Sequence, residues 1–418
     1  MEENNEGTNE NKLDPGTVEI HSAWIINSFN KVDVRQIISS MNIYEDISSP
    51  FITGSIVLSD TNNLLSQMKF RGEERLILEL KTPLLEIERV GNFHLFKLED
   101  RENLAQKDLI YRLHFISIEA FTDQNKRISQ TFRGRISDTV ENICKKGLLT
   151  GKDVHVEPTG NNEVHTSNFW TPIQNIHYLT KKAINNKNNS NYLFFETEEG
   201  FVFSSLDTLF KLPVHQQFIK GQHSRSTDPS EDPMVEYMKV LDMSIPDFYD
   251  YIGNHNNGLY GGALYVTDIE KKQIDFLKYK AKDEYHKSGK LNKGEHIFDS
   301  VEEAFNVESV VKSKVTHSDL YENKASDYDN RETRRNSLLS QLELIKTNIK
   351  VFGRCDYTVG RIVELKVFLE KQVDEKTMEE DEIDKILSGR YLVSAINHEI
   401  TNKSHYTFLE LIKDSYLK

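Results

Sequence analysis

The chain has 418 residues, of which 37% are hydrophobic and 28% charged, with 52 Lys and Arg against 66 Asp and Glu. This length predicts several domains rather than one core, and no apolar run of about 18 residues is present that could span a bilayer. The net charge of −14 argues against a function in which basic residues bind nucleic acid by neutralising its phosphates.

The N-terminal residues 1–16 are acidic and Asn-rich, and they lack the basic start and apolar centre of a signal peptide. This composition predicts a disordered tail on a protein made in a cytoplasm. Cys144 and Cys355 give neither a disulfide framework nor a metal-binding spacing. Both are expected to be buried thiols.

Residues 17–121 are predicted to form a first antiparallel β-barrel domain. Ile52–Ser59 and Leu76–Lys81 alternate apolar residues with others at a period of two, which is typical of half-buried strands. Between them, Asp60–Met68 places leucines on one face after a capping residue and predicts a short helix or turn.

Residues 122–233 have a different pattern and are predicted to form an intervening domain of helices and a hairpin. One amphipathic helix is predicted at 136–147, and a second begins directly after Thr171, where a proline occupies the first helical position. Tyr192–Leu206 predicts a β-hairpin. The polar, proline-containing stretch His223–Pro233 favours a domain boundary.

The remaining sequence predicts a second β-barrel domain, formed by residues 234–280 and 345–418. The charged residues 281–344 are predicted to be an insertion, with a helix over Arg331–Lys346. The acidic stretch at 369–387 is predicted to be an exposed loop or helical excursion.

An internal repeat supports two related domains. Matching segments, in the same order in both halves, are Thr53–Asp60 with Gly261–Asp268, Ile77–Lys81 with Ile362–Lys366, Gly91–Leu98 with Gly389–Ile396, and Tyr111–Ser117 with Tyr406–Ile412. We therefore predict a duplication, and two copies per chain would let three chains present six similar surfaces to a ring-shaped partner. The residues assigned to the barrel walls are Leu76, Leu78, Leu80, Val363, Leu365, Val367, Tyr391, Tyr406 and Phe408.

Motifs for chemistry are weak. His398 and His405 are seven residues apart with a turn expected between them, which is not the helical spacing of a zinc site. Gly258, Gly261 and Gly262 precede a strand, whereas a phosphate loop precedes a helix. No nucleophile elbow or Walker motif is present, and so no catalytic, cofactor-binding or metal-binding residue is assigned.

A family resemblance rests on five segments. They are "NIYEDISSPFITGSIVLSDTNNLL" (Asn42–Leu65), "RGEERLILELKTP" (Arg71–Pro83), "WTPIQNIHYLTKKA" (Trp170–Ala183), "GRYLVSAINHEI" (Gly389–Ile400) and "YTFLELIKDS" (Tyr406–Ser415). With these segments the chain resembles the baseplate central hub proteins of contractile-tailed bacteriophages, a family related to the N-terminal hub part of VgrG spike proteins.

This resemblance implies an α+β, β-rich fold with two tail-tube-like antiparallel β-barrel domains in one chain and α/β segments between them. It implies a structural protein rather than an enzyme, without a cofactor. A homotrimer would form a pseudo-sixfold ring that joins the tail tube protein to the cell-puncturing spike, contacts other baseplate proteins and lets DNA pass through its lumen. The chain would be assembled in the host cytoplasm and lie in the virion tail, with no membrane insertion.

Two other functions stay open from the residues alone. A tail-associated cell-wall hydrolase would have a pocket with converging carboxylates. An OB-like nucleic-acid-binding protein would bind in a strongly salt-dependent way, although the net charge of −14 disfavours it.

Overall fold

The structure, a computed structural model, describes residues 14–103, 109–187, 189–221, 233–247, 250–269, 271–284, 288–293, 311–316, 328–342, 344–369, 383–401 and 404–417. The predicted tail at 1–16, the acidic loop at 369–387 and the charged insertion at 281–344 lie partly or mostly outside the described residues.

The strands in chain order are β1 (Glu19–Ile26), β2 (Lys31–Asp33), β3 (Ile38–Asp46), β4 (Thr53–Asp60), β5 (Arg75–Thr82), β6 (Ile87–Asn103), β7 (Leu109–Ser117), β8 (Ile128–Arg135), β9 (Asp153–Val156), β10 (Asn162–Trp170), β11 (Tyr192–Thr197), β12 (Gly200–Ser205), β13 (Val214–Lys220), β14 (Val240–Asp247), β15 (Gly261–Asp268), β16 (Gln273–Lys280), β17 (Val311–Thr316), β18 (Ile345–Phe352), β19 (Ile362–Val367), β20 (Gly389–Thr401) and β21 (Ser404–Lys413).

The helices are α1 (Leu64–Met68), α2 (Ile118–Asn125), α3 (Ile136–Asn142), α4 (Pro172–Lys182), α5 (Leu206–Leu209), α6 (Pro233–Met238), α7 (Tyr251–Asn256), α8 (Ala281–Glu284) and α9 (Tyr328–Leu342). A π-helical turn, Ile143–Leu148, continues α3.

One large, mostly antiparallel sheet dominates the fold, so the predicted α+β, β-rich class is confirmed. Its main path runs β14-β18-β21-β20-β3-β4-β7-β6-β5-β1-β2, and β13 and β19 branch from β20. This path is open, and no closed barrel is detected among the strands that the structure describes. The walls expected for two separate barrels are therefore continuous with each other.

The sheet consists of two units with the same strand order. Unit 1 is β3-β4-β7-β6-β5-β1, and unit 2 is β14-β18-β21-β20-β19-β13. If β2, a small edge strand, is left out and the strands of each unit are numbered 1 to 6 in chain order, both units have the spatial order 2-3-6-5-4-1. The only difference in direction among these pairs is that β1 runs antiparallel to β5, whereas β13 runs parallel to β19.

Irregularities in strand pairing also repeat between the units. The register shifts between Ile38 and Ser40 in β3 and between Val240 and Asp242 in β14. A second pair of shifts flanks Phe96 in β6 and Ser394 in β20. Because a bulge adds one unpaired residue and bends the strand locally, its recurrence at corresponding places supports a duplication more strongly than strand order alone.

Each unit has its own apolar core, and the intervening segment has a third. Alternation at period two sends one face of each strand inward: β5, for example, buries Leu76, Leu78 and Leu80. These side chains belong to the unit 1 core, whereas those of β18, β19 and β21 belong to the unit 2 core. Helices α3 and α4 pack on β11 and β12 in the third core.

The intervening segment confirms two local predictions. Helix α4 begins at Thr171, whose side chain accepts a hydrogen bond from the backbone N–H of Gln174, and the Gln174 side chain accepts one from the backbone N–H of Thr171. The predicted hairpin is β11 and β12. Gly200 at its turn has a φ of 138°, and a Cβ there would lie 2.2 Å from the carbonyl oxygen of Asp153, so only glycine fits.

One anchor of the predicted repeat is wrong. Gly261–Asp268, matched to Thr53–Asp60, is β15, which pairs with β16 and β17 in a separate three-stranded sheet. The counterpart of β4 is β18, which pairs with β21 as β4 pairs with β7. A glycine, an alternating run and an aspartate predict a strand, but they carry no information about its partner.

Two further placements differ from the predictions. Strand β13 lies within residues 122–233, predicted to be the intervening domain, yet it pairs with β19 of unit 2. The helix predicted over Arg331–Lys346 ends at Leu342, and Ile345 already begins β18. The last apolar residue of the helix, Leu342, and the first of the strand, Ile345, are close in sequence at a spacing that also suits a helix. The apolar pattern alone therefore predicted a helix that was too long.

Within β21, adjacent residues should respond differently to truncation. Leu409 is 2% exposed in the unit 2 core, whereas its neighbour Phe408 is 38% exposed on the opposite face. Leu409→Ala should lower the free energy of unfolding by about 2–5 kcal/mol, and Phe408→Ala should lower it clearly less. Chemical denaturation followed by circular dichroism measures both changes, and equal losses would contradict this assignment of faces.

Candidate functional site

The two units meet along strand β20, which divides its pairing between them. Gly389–Leu392 pairs with β19 of unit 2, and Ala395–Thr401 pairs on the same side with β3 of unit 1. The shift between Val393 and Ala395 marks the change of partner. β20 thus joins the units through backbone hydrogen bonds.

A buried ion pair lies beneath this shared strand. The carboxylate of Glu45 on β3 accepts from the guanidinium of Arg89 on β6, and both side chains are almost completely buried. The other oxygen, Oε2, accepts from the hydroxyl of Thr358 at 2.6 Å and from the backbone N–H of Val359 at 3.2 Å. Unit 1 supplies both charges, and unit 2 supplies the remaining hydrogen bonds that the carboxylate needs.

Two neutral histidines extend this network into unit 2. Nη1 of Arg89 lies 3.1 Å from Nε2 of His398, and Nδ1 of His398 lies 3.0 Å from Nε2 of His405. Nε2 of His398 also lies 3.1 Å from the carbonyl oxygen of Tyr357, so this imidazole contacts both the guanidinium of unit 1 and a backbone carbonyl of unit 2. Burial, reinforced by the positive charge of Arg89, lowers the pKa of His398 well below its usual range and that of His405 to about 3.

The loop between β18 and β19 inserts into unit 1. Its Cys355 is fully buried within the unit 1 core, and the backbone N–H of Cys355 donates to the hydroxyl of Thr82 at 3.0 Å. Burial raises the pKa of the Cys355 thiol to about 11. Such a thiol stays protonated and inert, and its role at this place is to fill the core.

The intervening segment is attached to unit 1 by a second buried carboxylate. Glu196 on β11 accepts from the backbone N–H of Ile52 at 2.9 Å and pairs with Lys152. Lys152 also contacts Glu119 at 2.8 Å. All three parts of the chain are thus connected by buried polar contacts.

This arrangement orients the units and offers no reactive group to a substrate. Glu45, Arg89 and His398 are buried and occupied by one another. Within the described part of the chain, no group of three or more metal-ligating side chains is found. The junction therefore holds the units at a fixed relative position.

The solvent face of the junction forms a shallow groove of about 490 Å³. One row of paired residues crosses it from unit 1 to the outer edge of unit 2: Tyr44, Asn397, Phe408, Lys350 and Asp242. The next rows add the carboxylates of Asp46, Glu399 and Glu410. The face is thus mixed in polarity, with more carboxylates than cations.

The residues predicted to form barrel walls all lie in the large sheet. Those whose side chains are buried in the cores are Leu76, Leu78, Leu80, Val363, Leu365 and Tyr391. Val367 is half-buried, and Tyr406 and Phe408 lie on the solvent face.

Sequence reasoning missed Glu45 and Arg89 altogether, although a signal was present. Both occupy positions that alternation assigns to the core: Glu45 follows Met41 and Ile43 at a period of two, and Arg89 precedes Phe93 at the same parity. A charge at a core position is costly unless it is paired, so two such residues in one predicted domain indicate a buried ion pair.

The comparisons with known proteins rest on structure. No protein-family model matches the chain, and no curated protein matches it in sequence. A tail protein from Neisseria meningitidis MC58 superposes with a TM-score of 0.54 at 9% identity, covering 94% of this chain and 96% of that protein. The 43 kDa tail protein of prophage MuSo2 from Shewanella oneidensis gives 0.54 at 7% identity, covering 94% and 98%.

The chain has the fold of these tail proteins. Each superposition covers nearly all of this chain and nearly all of the tail protein. The shared fold therefore includes the two units and the intervening segment. The E. coli c3393 protein, a component of the type VI secretion system, gives a TM-score of only 0.47 at 8% identity, over 94% of this chain and 77% of that protein. That value is too low to support a shared fold.

Removing one partner of the buried ion pair should be costly. Arg89→Met leaves the Glu45 carboxylate buried without its cation, and we expect a loss of about 3–5 kcal/mol in the free energy of unfolding. The double change Arg89→Met with Glu45→Leu should recover part of this loss. As a control, Arg35→Ala removes an exposed ion pair with Asp33 and should change little; an equal loss in this control would contradict the role of burial.

The neutral histidines should make stability pH-dependent. In the unfolded chain each imidazole takes up a proton near pH 6.5, but folded His405 does so only near pH 3 because its pKa is lowered. The folded state therefore binds fewer protons in this window, and the free energy of unfolding should fall as the pH is lowered from about 6.5.

Glu198 has the opposite effect on stability, because burial raises its pKa to about 7. As the pH is lowered, the folded state binds a proton at Glu198 before the unfolded state does, and this raises the free energy of unfolding. Melting temperatures measured from pH 7.5 to 4.5 on the wild type and on His405→Gln separate the two effects. The His405→Gln variant should lose part of the slope, and an unchanged slope would contradict the assignment.

Proposed function

We propose that this chain is a structural, non-enzymatic hub of a phage tail baseplate. In this role three copies form a pseudo-sixfold ring that joins the tail tube to the cell-puncturing spike. The fold shared with two tail proteins, one of them from a prophage, supports a role in a tail. The observation that carries the ring is that the junction within the chain leaves two complementary strand edges open.

The first open edge is the outer side of β14. By strand order and by its bulge, β14 corresponds to β3. β3 is covered on its outer side by β20, whereas no described strand covers β14 there, apart from a single bridge between Ile219 and Lys239 at its start. Ile43 of β3 is 2% exposed, and its counterpart in β14, Ile245, is 39% exposed.

The second open edge is the latter half of β6. β6 corresponds to β20, and its first half pairs with β5 as that of β20 pairs with β19. In β20 the segment beyond the bulge pairs with β3. In β6 the equivalent segment, Lys97–Asn103, pairs with β7 on one side and with no described strand on the other.

Pairing β14 of one chain with β6 of the next would repeat the junction between β3 and β20. Such a contact is heterologous, and heterologous contacts either close into rings or continue as filaments. Three chains would give six similar units, which suits a partner with sixfold symmetry. The charged run of β6 around Lys97–Asn103 fits an edge that must resist promiscuous pairing before assembly.

In this ring we assign the solvent face of the junction to the lumen. Its excess of carboxylates, including Asp46 and Glu399, would repel phosphates and let DNA pass without binding, whereas Glu410 is paired with Lys346. This chain would lie in the virion tail and contact the tail tube, the spike and other baseplate proteins. No described helix is long and apolar enough to cross a membrane.

The proposal predicts the solution mass of the purified chain. Light scattering across a concentration series should approach three times the 48.5 kDa of one chain. A species of one chain at every concentration and at every salt concentration would contradict self-assembly through these edges.

The alignment of the units also predicts which residues meet between chains. Asn42 of β3 lies opposite Glu399 of β20. Counted from the bulges, and allowing for a further register shift between Glu99 and Glu102 in β6, the counterparts of these residues are Ser244 and Glu102. Ser244→Cys combined with Glu102→Cys should form disulfides between chains and give a covalent trimer on a non-reducing gel. The native cysteines are buried and should not interfere.

A matched control keeps one cysteine and moves the other away from the edge. Asp275 is exposed on β16, outside the large sheet, so Glu102→Cys with Asp275→Cys should yield only adventitious dimers. Cross-linking of equal extent in both double variants would exclude the proposed pairing of β14 with β6.

A further inference from the structure

Unit 2 carries an elaboration that unit 1 lacks. In unit 1 the connection from β3 to β4 is the short residues 47–52, whereas in unit 2 the connection from β14 to β18 is residues 248–344. This long connection forms its own sheet of β16, β15 and β17, and α9 contacts β15 and β16. On β15 the side chains of the inner face, Leu264 and Val266, are buried, at 1% and 3% exposure.

The opposite face of this small sheet is apolar where water would favour polar residues. Tyr265 on β15 lies directly opposite Phe276 on β16, and their rings are 4.6 Å apart. In the next pair, Thr267 lies opposite Ile274. Tyr265, Phe276 and Ile274 are all substantially exposed, Ile274 to 67%. A solvated sheet face normally alternates to polar residues, so this patch indicates a binding surface.

Among the described residues of β15 and β16, the charged side chains on this face are lysines. On β16 the residues of the same parity after Phe276 are Lys278 and Lys280, and Nζ of Lys278 lies 5.2 Å from the centre of the Phe276 ring. The described residues of this parity on β15 and β16 include no carboxylate. An apolar centre with a cationic margin stands out in a chain with a net charge of −14.

We propose that the face formed by Tyr265, Ile274 and Phe276 docks a second protein, one whose own surface has an apolar centre and carboxylates at its margin. Charge complementarity selects this partner, because the lysines would face its acidic groups. A second copy bound symmetrically through the same face is disfavoured, since the described residues of this face on β15 and β16 would offer Lys278 and Lys280 no carboxylate. The setting of this contact, a tail particle, rests on the proposed function.

The test compares tail particles with the isolated chain. Hydroxyl-radical oxidation of Tyr265 and Phe276 should be several-fold slower in particles than in the purified assembly. Zero-length carbodiimide coupling in particles should join Lys278 or Lys280 to an Asp or Glu of a different tail protein. Coupling only to copies of this chain, or oxidation as fast as in the isolated chain, would overturn the proposal.

Variants separate the docking face from general damage. Ile274→Lys should abolish both the protection and the coupling, whereas Gln273→Lys adds the same charge at the adjacent exposed position of opposite parity and should retain both. The solution mass and melting temperature of each variant must stay at wild-type values. Loss of both signals in Gln273→Lys as well would overturn the assignment to this face.

Two further outcomes are decisive. If the chain is absent from purified tails, the proposed function fails, and this inference fails with it. If the chain is present but the face stays reactive, only this inference fails. Binding of the isolated chain to vesicles containing phosphatidylglycerol, lost in Ile274→Lys, would assign the face to an anionic membrane and overturn a protein partner.

Discussion

The ion pair between Glu45 and Arg89 is the constraint on which the two-unit arrangement depends. Both charges come from unit 1, and in a medium of low dielectric constant neither is tolerated without full hydrogen bonding. The missing hydrogen bonds come from Thr358, Val359 and His398 of unit 2. Any separation of the units would leave a buried charge incompletely satisfied, so the relative position of the units is fixed by electrostatics as well as by the shared strand.

This constraint makes the junction within the chain different from any junction between chains. The counterparts of β3 and β20 on the open edges are β14 and β6. The latter half of β6 is a run of charged residues, whereas that of β20 has a single one, Glu399, and contains the buried His398. A permanent junction can tolerate costly buried groups because its partner is covalently present. An unpaired edge strand that is to bind another chain needs charged side chains, because they prevent aggregation before assembly.

The sequence predicted the class of fold and most strands, but alignment of the repeat shows where local pattern stops being informative. Gly91 and Gly389 were matched in the register that the bulges define. The match of Ile77–Lys81 to Ile362–Lys366 is displaced by two residues, which preserves the buried face. The match of Tyr111 to Tyr406 is displaced by one, which turns Tyr406 and Phe408 to the solvent, because successive side chains alternate between faces.

The junction itself was harder to predict because its members are far apart in sequence, with Glu45 and Thr358 separated by 313 positions. A charged residue at a position that strand alternation assigns to the core indicates that a buried partner exists, but it does not identify that partner. Once the strand order is known, equivalent residues of the two units can be compared. A difference in burial between them then shows where the environments of the two units differ. A residue buried in one unit and exposed at the equivalent place in the other, as Ile43 and Ile245 are, marks the surface that the proposed contact between chains would cover.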